Sequence, residues 1–305
     1  MELRHLRYFV AVADERHFTR AAKVLGIGQP PLSLQIQALE REIGTPLFKR
    51  LPRGVALTDP GQVFLDDARR ILRDAAQATE RARRVARGEL GRIRVGMINS
   101  APFHALIPQV VREFRRRYPN VALSLEEGTT PGLATAVRDE TLDLAFVRPL
   151  LETDRSLCVE PLLEEEMLVA LPSGHPLCAR TRLPLLALSI EPFVLFPRAV
   201  GAGLHDEIIG ACRAADFSPR VVQETSQVTS IVNLVAAGLG VSIVPASMQQ
   251  ASIDGVTYRP IRRPAPKARL SLLYRLGDHA VPHLHNLLEL TRKLARGLQA
   301  PKKRG

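Results

Sequence analysis

Residues 28–40 read GQPPLSLQIQALE, two prolines followed by apolar residues Leu32, Ile36 and Leu39, with Ile43 just beyond. Steps of four, three and four are the spacing of one buried stripe on an α-helix. Pro30 and Pro31 are compatible with that helix because first-turn amides have no intrahelical acceptor, so losing one N–H costs little. Gly28 or Gln29 is then the expected cap, and Gly44 the stop. With the stripe centred on Leu32, a rotation of about 100° per residue puts Pro30, Leu34, Gln37 and Arg41 on the opposite side, with Ser33 flanking. Leu34 stands out there, an apolar side chain turned toward water or a partner.

The surroundings say which partner. Leu3, Leu6, Phe9, Val10 and Ala13 follow helical spacing, and Phe18, Ala21, Ala22 and Leu25 do so again before Gly26. After the third helix, PLFKRLPRGVALTDPG reads as a short hairpin: Leu47 and Phe48 on one arm, Val55 and Leu57 on the other, and Pro52, Arg53 and Gly54 at the tip. Three short helices and a hairpin over residues 1–58 make a winged helix-turn-helix, whose third helix enters the major groove of DNA. Gln37 can both donate and accept at a base edge, Ser33 can reach a phosphate or base, and Gln29 lies at a helix N-terminus, where phosphates bind readily. Lys49, Arg50 and Arg53 on the wing are placed for phosphates.

Residues 59–88 change character. Phe64, Ala68, Ile71, Ala75, Ala78, Ala82 and Val85 alternate steps of four and three, a heptad seam suited to pairing with a second copy. The competing reading is an amphipathic helix lying on its own protein. From residue 89 strands and helices alternate: IRVGM, a helix over 102–117, VALSLEE, a helix over 131–140, DLAFV, then FVLF, a helix over 203–215, RVVQE, a helix over 227–237, and VSIVP. Such alternation predicts mainly parallel sheets with helices on their faces. Two sheets, with the chain crossing near 162–170 and returning near 267–276, give two subdomains with a ligand cleft between them. The expected divisions are subdomain I at 89–161 and 267–300, subdomain II at 162–266, and a basic tail at 301–305.

Composition agrees. The net charge is +11, but residues 89–266 carry seventeen Lys/Arg against nineteen Asp/Glu, so the basic excess lies at the two ends. A near-neutral body with basic ends suits DNA binding attached to another task. No apolar run approaches a membrane span and no export signal opens the chain, so a cytoplasmic location is expected. Cys158, Cys178 and Cys212 lack the paired spacing of metal or redox motifs. GAGLHD at 201–206 lacks the third glycine of a dinucleotide loop, and His279, His283 and His285 read as surface residues rather than a metal site. No catalytic constellation, metal site or cofactor is expected. A solute-binding protein would have no use for residues 1–58, and a nucleotide-dependent enzyme should show a full glycine fingerprint or a clustered acid, base and nucleophile.

HLRYFVAVADERHFTRAAKVLGIGQPPLSLQIQALEREIGTPLFKR, followed by GVALTDPGQVFL, closely resembles the N-terminus of LysR-type transcriptional regulators. FRRRYPNVALSLEEGTT, LDLAFVRP and VNLVAAGLGVSIVPAS resemble their effector domain, particularly in regulators of aromatic-compound and muconate catabolism. The likeness runs to about residue 298. It implies a winged helix-turn-helix, a dimerising linker helix and a type 2 periplasmic-binding-protein-like α/β domain of two subdomains. The implied partners are double-stranded DNA bearing an interrupted inverted repeat, a small aromatic or dicarboxylic acid effector, other copies forming a homodimer and then a homotetramer, and RNA polymerase. Gln29, Pro30, Pro31, Ser33, Gln35, Ile36, Leu39 and Glu40 match the family pattern. Leu34 departs from it, standing where an arginine or another polar residue is frequent, which changes base choice: an arginine can grip guanine, whereas a leucine offers apolar contact to a thymine methyl. The resemblance places effector contacts at Asn99, Ser100, Thr129 or Thr130, Arg148, and the Phe196–Pro197 hinge with Gly201 to Leu204, including Gly203. Hydroxyls, an amide and helix N-terminal amides suit a carboxylate. Arg148 either adds a charge-assisted bond to it or forms a salt bridge within the fold, and the hydroxyls before helices serve equally well as caps.

Overall fold

The computed structural model describes residues 1–149 and 154–299; the tail at 301–305 falls outside the described residues. The chain divides into two compact units, Met1–Arg84 and Val85–Gly305.

In the first unit, α1 (Leu3–Glu15), α2 (Phe18–Leu25) and α3 (Gln29–Ile43) pack around Leu6, Phe9, Val12, Ala21, Ala22, Leu32, Ile36 and Leu39. Gly28 caps α3, with both prolines in its first turn, and Gly44 ends it in a left-handed conformation. The expected stripe is one residue too long: Ile43, at the last position, is exposed, because the helix stops before its side chain can turn inward. Leu3, at the opening turn of α1, is exposed as well. Strands β1 (Phe48–Leu51) and β2 (Gly54–Leu57) form the antiparallel wing with Pro52 and Arg53 at its turn. The wing is tied down twice. The Glu40 carboxylate accepts the amides of Leu47 at 2.8 Å and Phe48 at 3.0 Å, and the Val55 amide donates to the Arg16 carbonyl at 3.0 Å. Gly54 has φ +105°, and a Cβ there would sit 2.5 Å from that same carbonyl, so glycine is required.

Helix α4 (Asp59–Ala86) begins beside the wing, where the Gly61 amide donates to the Thr58 hydroxyl at 3.1 Å. The reading as a helix lying on its own protein holds for its first part. Phe64, Leu65, Ala68 and Leu72 join the core of the first unit, with the Phe64 and Phe9 rings 5.1 Å apart. Farther along, Ile71, Ala78, Ala82 and Val85 of the heptad seam are exposed. The seam is therefore free only beyond its second position.

In the second unit, β3 (Gly91–Ile98) pairs in parallel with β4 (Val121–Gly128) and β5 (Leu144–Val147), flanked by α5 (Leu106–Arg117), α6 (Thr130–Arg138) and α9 (Pro282–Gln299). The expected helix over 102–117 starts late: a 3-10 turn, Ala101–Phe103, precedes it, and His104 Nδ1 accepts the Leu106 amide. The other half holds β7 (Pro192–Leu195), α7 (Ala202–Ala214), β8 (Arg220–Glu224), α8 (Val228–Ala236), β9 (Ser242–Pro245) and β10 (Val256–Pro260). Two long strands cross between the halves: β6 (Leu157–Pro172), whose Leu162 and Leu163 belong to one core and Met167, Val169, Ala170 and Leu171 to the other, and β11 (Lys267–Arg275). These crossing strands correct the expectation of two mainly parallel sheets. β6 and β11 run antiparallel to each other, β5 pairs antiparallel with β11, and β9 and β10 flank β6 antiparallel, making one mixed seven-stranded arrangement. A chain that leaves one half and must return to it brings its two crossing strands past each other in opposite directions, which repeated strand–helix units alone do not reveal.

Candidate functional site

Two separate surfaces carry the residues singled out in the sequence, one in each unit. On α3, Gln29, Pro30, Pro31, Leu34 and Gln37 are exposed and Ser33 is half-buried. Leu34 is 62% exposed, as the helical rotation requires. Arg41, on the same side, bonds the Gln37 carbonyl at 3.3 Å. Gln35 points the other way, its Oε1 2.8 Å from His5 Nε2, so it holds α3 against α1. Arg50 and Arg53 project from the wing in solvent. Helix N-terminus, polar face and basic hairpin are thus presented by a frame fixed through Glu40, Gln35 and Gly54. The face combines hydrogen-bonding, apolar and basic side chains, the kinds of group that contact bases and phosphates.

In the second unit, Asn99, Ser100, Thr130, Arg148, Phe196, Gly201 and Leu204 line one cavity, with Ile98, Gly128, Val200, Ser226 and Val228. Three expected residues do not line it. The Thr129 hydroxyl caps α6, accepting the Gly132 amide at 3.2 Å. Gly203 lies against the Pro149 backbone, so close that a Cβ would sit 2.4 Å from its carbonyl oxygen. Pro197 precedes a 3-10 turn outside the lining. The two halves meet over the cavity: Asn99 Nδ2 reaches the Ser226 carbonyl at 3.5 Å, and Gly203 meets Pro149 beside it. The cleft is narrow there, leaving a cavity of about 40 Å³. Wider hollows of about 620 Å³ beside α7 and about 950 Å³ beside α5 are open surface grooves, and no buried, unpartnered polar side chain is among their lining residues.

Arg148 forms the internal salt bridge and lines the cavity too. Its side chain is buried and pairs with Glu165 at 3.0 Å, while its Nη atoms also donate to Ser100 Oγ at 3.2 Å and to the Arg269 carbonyl at 3.1 Å. The second Glu165 oxygen accepts the Ser247 amide at 3.0 Å, so this one carboxylate bridges β5 and the segment after β9. Burial pushes the Arg148 pKa down from its ordinary value, and Glu165 opposes that shift. Burial also lowers the His104 pKa; Glu165 works against it and Arg148 with it. Among the residues that line the cavity, two buried donors lack a protein partner, Arg148 Nε and Thr130 Oγ1. Buried donors in this state are rare and point to a missing acceptor. Glu165 was not singled out in the sequence, although a signal was present: in the run Glu164–Glu166, strand alternation turns Glu165 away from its two neighbours, and those two are exposed.

The remaining candidates are structural. Pro282 opens α9, and His283 of that helix packs against Gly91 instead of lying free on the surface. Among the described residues no cluster of His, Cys, Asp or Glu could hold a metal ion, and no helix is long and apolar enough to cross a membrane. Cys212 is buried and its thiol pKa is pushed up to about 11 by burial.

Comparison with known proteins bears directly on both surfaces. Residues 3–62 match the model of the bacterial regulatory helix-turn-helix protein, lysR family, and residues 86–296 match the LysR substrate binding domain. The chain is 43% identical over 275 residues to the HTH-type transcriptional regulator BudR of Raoultella terrigena, covering 90% of this chain and 95% of that protein. It is also 43% identical over 286 residues to the uncharacterized HTH-type transcriptional regulator YnfL of Escherichia coli (strain K12), covering 94% and 96%. Full-length CbnR, solved in complex with its target DNA, superposes with a TM-score of 0.84 at 30% identity, covering 97% of this chain and 100% of that one.

Proposed function

The chain belongs to the LysR family of DNA-binding transcriptional regulators, and from that premise we propose that it reads an interrupted inverted repeat upstream of its target genes and that a small organic acid in the cavity of the second unit changes how it does so. The observation that carries the reading is the outward face of α3: Gln29, Pro30, Pro31, Ser33, Leu34 and Gln37 beside the wing arginines Arg50 and Arg53. Gln37 and Leu34 supply base contacts; Ser33, Arg50 and Arg53 supply phosphate contacts. Pairing of two copies through the exposed part of α4, at Ile71, Ala78, Ala82 and Val85, sets the half-site spacing. Two such dimers form a tetramer, which acts in the cytoplasm and contacts RNA polymerase.

In the second unit, domains 89–161 with 267–300 and 162–266 form the effector-binding halves, and Asn99, Ser100, Thr130, Arg148, Phe196 and Leu204 hold the ligand. A ligand bound between the halves favours one of their relative arrangements and, by linkage, one DNA-bound state. The resemblance to regulators of aromatic-compound and muconate catabolism favours an aromatic or dicarboxylic acid among organic acids. The test is a binding titration on the DNA upstream of the gene at several salt concentrations, followed by footprinting with and without small carboxylates. A steep fall of affinity with salt and an interrupted footprint are the expected results; affinity no greater than for random DNA sinks the reading.

A further inference from the structure

We infer that Arg180, Arg182, Arg262 and Arg263, on the second unit, form a contact surface for the phosphate backbone of duplex DNA, additional to α3 and the wing. The sequence supplies the charge. Between Pro176 and Ile190 there is no Asp or Glu, and between Gly255 and Gly277 there is none either. The fold joins these two acid-free runs: the Leu183 amide donates to the Pro260 carbonyl at 2.9 Å, and the Arg262 amide to the Leu183 carbonyl at 2.8 Å. Arg259 ties them again, its guanidinium donating to the Cys178 carbonyl at 2.7 and 3.1 Å. Leu183 and Ile261, bridged side by side, are buried, while Arg182 and Arg262 beside them are exposed.

What separates the four arginines from other cations nearby is the shortage of counter-charge. Lys267 pairs with Glu166 at 3.7 Å and Arg269 with Glu164 at 2.8 Å. Arg180, Arg182, Arg262 and Arg263 are exposed, and among the described residues none of the four is in an ion pair. Arg182 and Arg263 border one open groove, where the carboxylate among the lining residues is the Glu166 held by Lys267. On the α7 side of Arg262 and Arg263, Arg198 takes Asp206 at 2.7 Å, which leaves Glu207 and Asp216 against four guanidinium charges. The excess is local, because residues 89–266 as a whole are near neutral.

An extended polyanion fits this surface better than a small one. A lone phosphate needs a built site, and no buried, unpartnered polar side chain is among the lining residues of the groove. Exposed guanidinium groups on two chain segments instead suit a row of phosphates, which they neutralise with release of counterions. The same chain binds duplex DNA through its first unit, so the second contact meets that DNA at the effective concentration set by the connection between the units, and weak single contacts suffice.

The test is the salt dependence of DNA binding by the full-length protein, on a fragment extending several helical turns beyond the footprint. Wild type is compared with Arg182→Gln/Arg263→Gln and with a charge-matched control, Lys293→Gln/Arg296→Gln, whose side chains are exposed on α9. Each phosphate contact contributes about 0.9 to the steepness of log K against log salt. The arginine variant should therefore lose about two or more, while the control keeps the wild-type steepness and Arg182→Lys/Arg263→Lys, which retains the charge, restores it. Unchanged steepness in the arginine variant overturns the inference; so does an equal fall in the control, or no restoration by lysine. Loss of transcription by RNA polymerase with the steepness intact overturns it too, because the partner is then an acidic protein. If the arginine variant alone is shallower but wild type prefers its upstream DNA no more than random DNA, this inference stands and the reading of α3 fails. No DNA binding by wild type sinks both.

Discussion

The face of α3 and the cavity of the second unit are both assembled from polar side chains over an apolar support, yet they differ in what builds them. The α3 face comes from one helix of fifteen residues, is exposed, and exists before any partner arrives. The cavity draws on the ends of β3, β4, β5, β7 and β8, is narrow, and is braced by a buried ion pair. A site made by one element answers to mutation position by position. A site made by many elements answers as a network, and a change at one member is felt at all of them.

The largest expected effect breaks the network. Glu165→Ala leaves Arg148 as a buried, unpaired charge and frees the Ser247 amide; loss of one partner of a buried pair costs about 3–5 kcal/mol, so the thermal midpoint should fall by many degrees in calorimetry. A change under about 1 kcal/mol would mean the pair does not hold the halves together. On the other side of the comparison, Glu40→Ala orphans the Leu47 and Phe48 amides and should cost about 1–3 kcal/mol. Its signature is regional: DNA affinity and protease resistance of the wing should drop, while the effector titration stays as in the wild type.

Smaller effects sharpen the contrast. Leu34→Arg should shift preference at one base pair by about 1–3 kcal/mol, measured by competition among operator variants, with little change in stability because the side chain is exposed. Unchanged preference would show that Leu34 does not meet a base. Arg53→Ala should weaken binding to all sequences about equally and lower the salt slope by about one. The smallest effect is with pH. Burial lowers the His104 pKa below its ordinary 6.5, so below that pH the unfolded chain takes up a proton that the folded one refuses. Stability should therefore decline as pH falls below about 6.5, and in His104→Gln that part of the decline should vanish. Asp143 acts in a lower window: burial raises its pKa, but the hydrogen bonds and charge of Arg94 outweigh this and hold it below 3.8. The stability it contributes is present above that value and is lost on further acidification.

The difference between the two sites also explains what could be read in the sequence. The spacing of Leu32, Ile36 and Leu39 orients α3 without any knowledge of the rest of the fold, so Leu34 and Gln37 were legible, as was the stop at Gly44, while the cap was narrowed to Gly28 or Gln29. The division of α4 into a part packed on its own core and a free part was not, because Phe64 and Ala68 continue the same heptad as Ala78 and Ala82; what distinguishes them is the presence of Phe9 nearby. In the second unit the alternation of strands and helices gave the elements, but their pairing depends on the crossing strands β6 and β11, which no local pattern encodes. Arg148 was visible only as an ambiguous cation. Its partner, Glu165, lies seventeen residues away on another strand, and Ser226, which closes the cavity over Asn99, lies 127 residues away. Long-range contacts of this kind belong to the fold, and resemblance to a family supplied what periodicity could not.

One measurement tests the central claim most directly: a footprint of the full-length protein on the DNA upstream of its gene, with wild type and Gln37→Ala side by side. The expected result is protection of two half-sites about one helical turn apart or a multiple of it, lost or displaced in Gln37→Ala. Uniform protection with no preferred sequence, identical in both proteins, would contradict the assignment of the α3 face as the surface that reads DNA.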